Sequence, residues 1–268
     1  MHDTVIPFDD RGFAYGDGLF ETVLVRDGMP VLWEAHLERL ALGCARLGFA
    51  CPERATLDAL PTKAGRGLRV LKLVVTRGRG GRGYLPPTEP EPNLCWQFSA
   101  FTPHEERWRQ GVRIRLCRLR LGIQPRLAGL KHLNRLENVL ARQEWNDPDV
   151  AEGLLCDSEG RLIEATCMNL FWLRNGCWET PRLDACGVAG TLRAALLAHQ
   201  SIDEVSRGTD VFAELDALWL GNSVQGVWPV TRLDDADGKL VMRWPITAIH
   251  RSLQNAGQVL LGYPLLVT

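Results

Sequence analysis

Four short stretches carry side chains capable of nucleophilic, acid–base or anion-binding roles. The first is AGLKHLNRLENVLAR, residues 128–142, in which Lys131 stands where an apolar, strand-like approach gives way to a helical pattern. Beyond it Leu133, Leu136, Val139 and Leu140 recur at helical spacing. A lysine at the mouth of an element can face a cavity, where burial or a nearby cation lowers its pKa and makes the amine nucleophilic. The ordinary fate of a lysine is a solvated surface charge. The second is Glu164, which closes a strand and opens EATCMNLF; it is either an edge charge or a buried acid. The third is GVAGTLR, residues 187–193, a glycine-rich turn into a helix beginning at Thr191. Free N–H groups at a helix start bind phosphate, although glycine loops also begin ordinary helices. Gly221-Asn222-Ser223, after a strand, offers further donors to the same anion. The fourth is RGRGGRGY, residues 77–84, whose glycines let the backbone curl so that Arg77, Arg79 and Arg82 converge on a small volume. Guanidinium forks there suit a small dianion or a nucleic acid, and a solvated hairpin tip remains open.

A carboxylate at Glu164, buried beside a heteroaromatic nitrogen, would keep that nitrogen protonated, the partnership that makes pyridoxal phosphate (PLP) an electron sink. A candidate amine, carboxylate, phosphate cradle and anion-gripping loop together suit a PLP enzyme. The elements around them read as α+β. Leu19–Arg26 alternates as a strand, Asp27-Gly28 marks a hairpin turn, and Glu34–Leu47 is an amphipathic helix on which His36 and Arg39 share a face. Arg39 could hold an anion if that helix lies against a cleft. Arg69–Thr76 and Asn93–Phe101 are strands. Gly153–Cys156, Arg161–Glu164, Asn169–Leu173 and Cys177–Thr180 read as an antiparallel meander, and Ile246–Ala256 as a closing helix. The expected division is an N-terminal domain over 1–105, a linker over 106–120 and a C-terminal domain over 121–268.

The 268 residues suffice for one large or two smaller cores, and 46% hydrophobic with 24% charged residues is ordinary for a globular protein. A formal net charge of -1 favours neither nucleic acid nor a membrane surface, and no apolar run approaches the ~20 residues of a membrane span. The start, MHDTVIPFDD, lacks the pattern of a signal peptide. The eight cysteines form no CxxC pair and no zinc pattern with histidine. They are expected to be reduced thiols in a cytoplasmic protein without a metal.

GDGLFETV (16–23), HLERL (36–40), AGLKHLNRLENVLAR (128–142), EATCMNLF (164–171) and AGTLR (189–193) resemble, in order, the motifs of the fold-type IV PLP enzymes. That family contains branched-chain aminotransferases, D-amino acid aminotransferases and aminodeoxychorismate lyases. Within it, GGRGY (80–84) and KHLNRLE (131–137) are similar to the lyases. The resemblance implies a smaller N-terminal α/β domain, a larger C-terminal domain with a β-barrel-like core, PLP as cofactor and a homodimer, with no nucleic acid or membrane partner. It implies that Lys131 bonds the cofactor aldehyde and moves the proton, and that Glu164 meets the pyridine nitrogen. Arg39, the backbone of Thr191 and Leu192, Asn222 and Ser223 fall to the phosphate, with Asn169 and Gly190 also on the cofactor. Leu192 replaces a threonine of some aminotransferases, and Phe20 stands where several carry tyrosine, removing a hydroxyl near the reacting carbon. Arg79 and Arg82 are the candidates for the substrate carboxylates. The implied reaction converts 4-amino-4-deoxychorismate to 4-aminobenzoate and pyruvate; the alternatives are a class IV aminotransferase of branched-chain or D-amino acids and an RNA-binding protein using RGRGGRG.

Overall fold

The computed structural model describes residues 6–266. The chain divides into two compact units: residues up to Thr102 with Leu130–Asn134, and Pro103–Gly129 with Arg135 onward.

The first unit is built on an antiparallel sheet of four strands, β1 (Gly18–Arg26), β2 (Met29–Pro30), β3 (Leu68–Thr76) and β4 (Asn93–Ala100), in the order β2-β1-β3-β4. Asp27 and Gly28 both take positive φ, +49° and +80°, the tight turn whose twist suits a hairpin. The helix α1 (Arg11–Tyr15) is capped by Asp10, whose side chain accepts from the Gly12 and Phe13 amides. The long helix α2 (Trp33–Leu47) lays Leu37, Leu40 and Cys44 onto the β1–β3 face, where Leu19, Val23, Val25, Leu71, Leu73 and Val75 complete a core. A short α3 (Arg54–Asp58) adds Leu57. Residues 131–133 run as an extended segment beside the start of β1: the Phe20 amide donates to the Lys131 carbonyl at 2.9 Å, and the Leu133 amide to Gly18 at 3.0 Å. The helix expected directly after Lys131 begins five residues later, because this pairing holds 131–133 extended.

The second unit contains α4 (Glu105–Gln110), β5 (Val112–Leu121), α5 (Leu136–Arg142), β6 (Val150–Asp157), β7 (Leu162–Ala165), β8 (Asn169–Arg174), β9 (Cys177–Pro181), α6 (Thr191–His199), β10 (Ile202–Val205), β11 (Leu215–Asn222), β12 (Gly226–Asp234), β13 (Leu240–Arg243) and α7 (Ala248–Leu261). The stretch 106–120, expected to be a linker, is therefore a helix and most of a strand. The strands β6 to β9 form the anticipated meander. The pairings β8-β11-β12-β5-β6-β7 return to β8, so six strands close a barrel from which β9, β10 and β13 extend. The closing pair is Glu164 opposite Asn169. Parallel pairing of β5 with both β6 and β12 makes this closure possible, and such long-range pairing leaves no local pattern to read. No helix of the described residues is long and apolar enough to cross a membrane.

Candidate active site

In the first unit the Lys131 amine lies 4.3 Å from the centre of the Phe20 ring. Its backbone is fixed by the Phe20 amide, so an apolar ring without a hydroxyl borders one side of the nitrogen. One residue along β1, Glu21 points into the unit and is nearly inaccessible. Its carboxylate accepts from Arg39 Nε at 2.8 Å and Nη2 at 2.5 Å, and lies 2.6 Å from His36 Nδ1. Burial works to raise the Glu21 carboxyl, but the Arg39 charge and the bonds from His36 and Arg39 outweigh it and hold it at about 2. Burial pushes the His36 imidazole down, assisted by the charges of Arg39 and Lys131, against the pull of Glu21. The shared face of His36 and Arg39 thus turns inward onto Glu21, a partner that alternation along β1 could have revealed. Glu21 engages the Nε–Nη2 edge of Arg39 and so fixes the orientation of its guanidinium.

The arginines of 77–82 do not converge. Arg77 turns inward, sharing Asp17 with Arg11 and donating to the Leu47 and Gly48 carbonyls. Arg79 points out, 72% exposed, paired with Asp9 at 2.9 Å, and Arg82 is exposed. Regular alternation would put Arg77 and Arg79 on one face, but Gly78 between them takes φ +87°, which breaks the extended run and lets the two side chains part before Arg79 bridges Asp10. Arg11, which sequence reasoning did not single out, gathers the loop through the carbonyls of Gly83, Tyr84 and Leu85.

In the second unit the structure brings together Glu164, Asn169 and the approach to α6. Buried Glu164 accepts the Val188 N–H on Oε2 at 2.9 Å, and Asn169 Nδ2 donates to the Val188 carbonyl, also at 2.9 Å. The two peptides that flank Val188 are thereby held, one through its N–H and the other through its carbonyl. Gly190 caps α6 without a side chain, and a Cβ there would come 2.0 Å from Asn169 Oδ1, so only glycine permits this approach. Thr191 and Leu192 form the buried first turn of α6. Arg193 pins that turn, donating to the Pro181 carbonyl and to Glu204, each at 2.8 Å. At the end of β11, Asn222 Oδ1 accepts the amides of Val224 and Gln225, and Nδ2 donates to the Cys167 carbonyl; Ser223 follows, buried. Half-buried Arg135 has its pKa lowered by burial, which the charges of Glu164 and Glu137 oppose.

The first unit offers an amine and a guanidinium braced by a buried carboxylate; the second, taken by itself, offers an acid fixed by a backbone amide and a helix start whose cap supplies no side-chain acceptor. That chemistry fits a phosphorylated heteroaromatic aldehyde: the amine can bond the aldehyde, the acid can hold the ring nitrogen's proton, and the amides and guanidinium can take the phosphate.

The model of the amino-transferase class IV family matches residues 18–233. The chain is 35% identical over 263 residues to an aminodeoxychorismate lyase of Vibrio harveyi, covering 95% of this chain and 96% of that one. Its fold is similar to the crystal structure of 4-amino-4-deoxychorismate lyase from Pseudomonas aeruginosa, with a TM-score of 0.89 and 43% identity over 96% of this chain and 95% of that chain. A PLP-bound hypothetical aminotransferase from Mycobacterium tuberculosis shares the fold at a TM-score of 0.80 and 22% identity, covering 97% and 94%.

Proposed function

The chain belongs to the amino-transferase class IV family, and on that premise we propose that it is an aminodeoxychorismate lyase, a PLP-dependent enzyme converting 4-amino-4-deoxychorismate to 4-aminobenzoate and pyruvate. The observation that carries this reading is likeness along the whole chain, rather than over one domain, to lyases of that name.

PLP, when bound, supplies an aldehyde that engages the substrate amine and a protonated ring that accepts an electron pair. Lys131 would hold the cofactor through its amine, and the same amine is placed to take the proton at substrate C4. As that proton leaves, the C3–O bond breaks, enolpyruvate departs and becomes pyruvate, and the substrate ring becomes aromatic. Glu164, oriented by the Val188 amide, keeps the proton on the pyridine nitrogen. Phosphate falls to Arg39, to the α6 amides after Gly190 and to the Asn222-Ser223 turn, with Asn169 holding the approach to α6 in place. Phe20 excludes water beside the amine and carries no hydroxyl to donate there. Arg82, exposed and unshielded by the loop, is the better candidate for a substrate carboxylate than Arg79, which Asp9 already engages.

The same reading includes a cytoplasmic homodimer. Its support is the set of free cysteines and the apolar stripe on α5, where Leu136, Val139 and Leu140 are exposed. The deciding experiment supplies aminodeoxychorismate and measures 4-aminobenzoate for wild type and Lys131→Ala. Product from wild type alone is expected. Stoichiometric conversion of the cofactor to its pyridoxamine form by common amino acids, without 4-aminobenzoate, would instead identify a branched-chain or D-amino acid aminotransferase.

A further inference from the structure

Glu152 on β6 is a buried carboxylate that the reaction above does not use. Four donors meet it: the Gly153 amide at 3.2 Å, the Thr166 amide at 3.0 Å, the Thr166 hydroxyl at 2.5 Å and the Cys167 thiol at 2.8 Å. Burial pushes its carboxyl up, against the bonds from Cys167, Thr166 and Gly153. An apolar side chain at this place in the barrel wall would take the acceptor away from the Thr166 hydroxyl and the Cys167 thiol, so the burial of this acid is tied to the turn that donates to it. What the carboxylate holds is the turn Thr166-Cys167-Met168, the link between Glu164 and Asn169.

That turn is a junction. The Thr166 carbonyl accepts Asn138 Nδ2 from α5 at 3.0 Å, the Cys167 carbonyl accepts Asn222 Nδ2 at 3.2 Å, and the Met168 carbonyl accepts the Ala165 amide at 2.8 Å. Asn222 in turn orients the amides of Val224 and Gln225 around Ser223. Displacing the turn therefore moves the acid on one side and the phosphate-binding turn on the other.

We propose that Glu152 is a positioning residue of the cofactor site, holding the Thr166-Cys167-Met168 turn so that Glu164 and Asn222 keep their places relative to one another. This rests on the assignment of Glu164 and Asn222 to the cofactor. Glutamine at 152 keeps the volume but turns one acceptor into a donor facing the Thr166 or Cys167 donors. Thr166→Val removes the hydroxyl from the other end, and Thr166→Ser restores it.

The test titrates each purified apo-protein with PLP, reading affinity from tryptophan fluorescence and the environment of the ring from the visible band of the bound cofactor. Glu152→Gln and Thr166→Val are expected to weaken PLP roughly tenfold or more and to shift the band, with Thr166→Ser close to wild type. A folded Glu152→Gln that loses thermal stability yet keeps wild-type affinity and band has a structural role only and overturns the proposal. Should Glu152→Gln not fold, Thr166→Val decides by the same criteria. Glu164→Gln is the control: a band altered there but unaltered in the other two variants defeats the proposal alone. A band unaltered in Glu164→Gln defeats the cofactor assignment and the proposal with it.

Discussion

Lys131 is held by its own backbone, through the Phe20 amide, and its amine faces a ring that can neither donate nor accept a conventional hydrogen bond. Lys131→Ala removes both the bond to the cofactor and the base. The base alone is worth ~10²–10⁴-fold, so kcat should fall by at least that factor. Borohydride reduction of the PLP-loaded protein should place the adduct on the peptide containing Lys131, and an adduct on another lysine would refute the assignment. Glu21 makes a prediction of a different kind. Its carboxyl is held at about 2 against an ordinary 4.5, so its stabilisation is complete above 4.5 and is lost as pH falls from there through 2. That shift corresponds to about 3 kcal/mol. His36 acts in the same direction from higher pH: with its pKa lowered from 6.5, the unfolded chain takes a proton first, and acid favours unfolding. Denaturant titrations from pH 7 to pH 2 should show stability falling through both windows, and Glu21→Gln should flatten the lower one.

At the scale of elements, the start of α6 depends on the absence of one atom. A Cβ at Gly190 would lie 2.0 Å from Asn169 Oδ1, so Gly190→Ala must push Asn169 off the Val188 carbonyl. The expected cost is about 1–3 kcal/mol, seen as a lower Tm, together with weaker PLP binding because Val188 also carries the Glu164 contact through its N–H. The 77–92 loop has a similar point. Gly78 sits at φ +87°, and a Cβ there would come 1.8 Å from the Glu91 carbonyl. Gly78→Ala should therefore lower Tm through backbone strain in the first unit, measurable by thermal unfolding of the purified variant.

The whole molecule raises the question of what covers α5. Leu136 is 75% exposed, with Val139 and Leu140 beside it on the same stripe. If the second copy proposed above buries this stripe, a Leu136→Arg, Val139→Asp double variant should halve the mass measured by light scattering while far-UV circular dichroism is unchanged. A wild-type monomer would remove the homodimer from the reading.

Much of the local structure, and the candidates for chemistry, are legible in the residues alone. Lys131, Glu164 and the α6 start stand out as candidates by residue type and motif resemblance, and β1, α2 and the β6–β9 meander are legible from periodicities of two and 3.6 residues, which are properties of adjacent side chains. Helical spacing also placed His36 and Arg39 on one face. What that face meets is set by packing between elements, since Glu21 approaches from β1. The tertiary structure turned Arg77 inward and Arg79 outward, kept 131–133 extended against β1, and made α4 and most of β5 out of an expected linker. Barrel closure through Glu164 and Asn169, and the Glu152 junction behind it, follow from pairings between distant segments. Such pairings are selected by the fold as a whole, because their energy depends on burial and registry that no short stretch of residues contains.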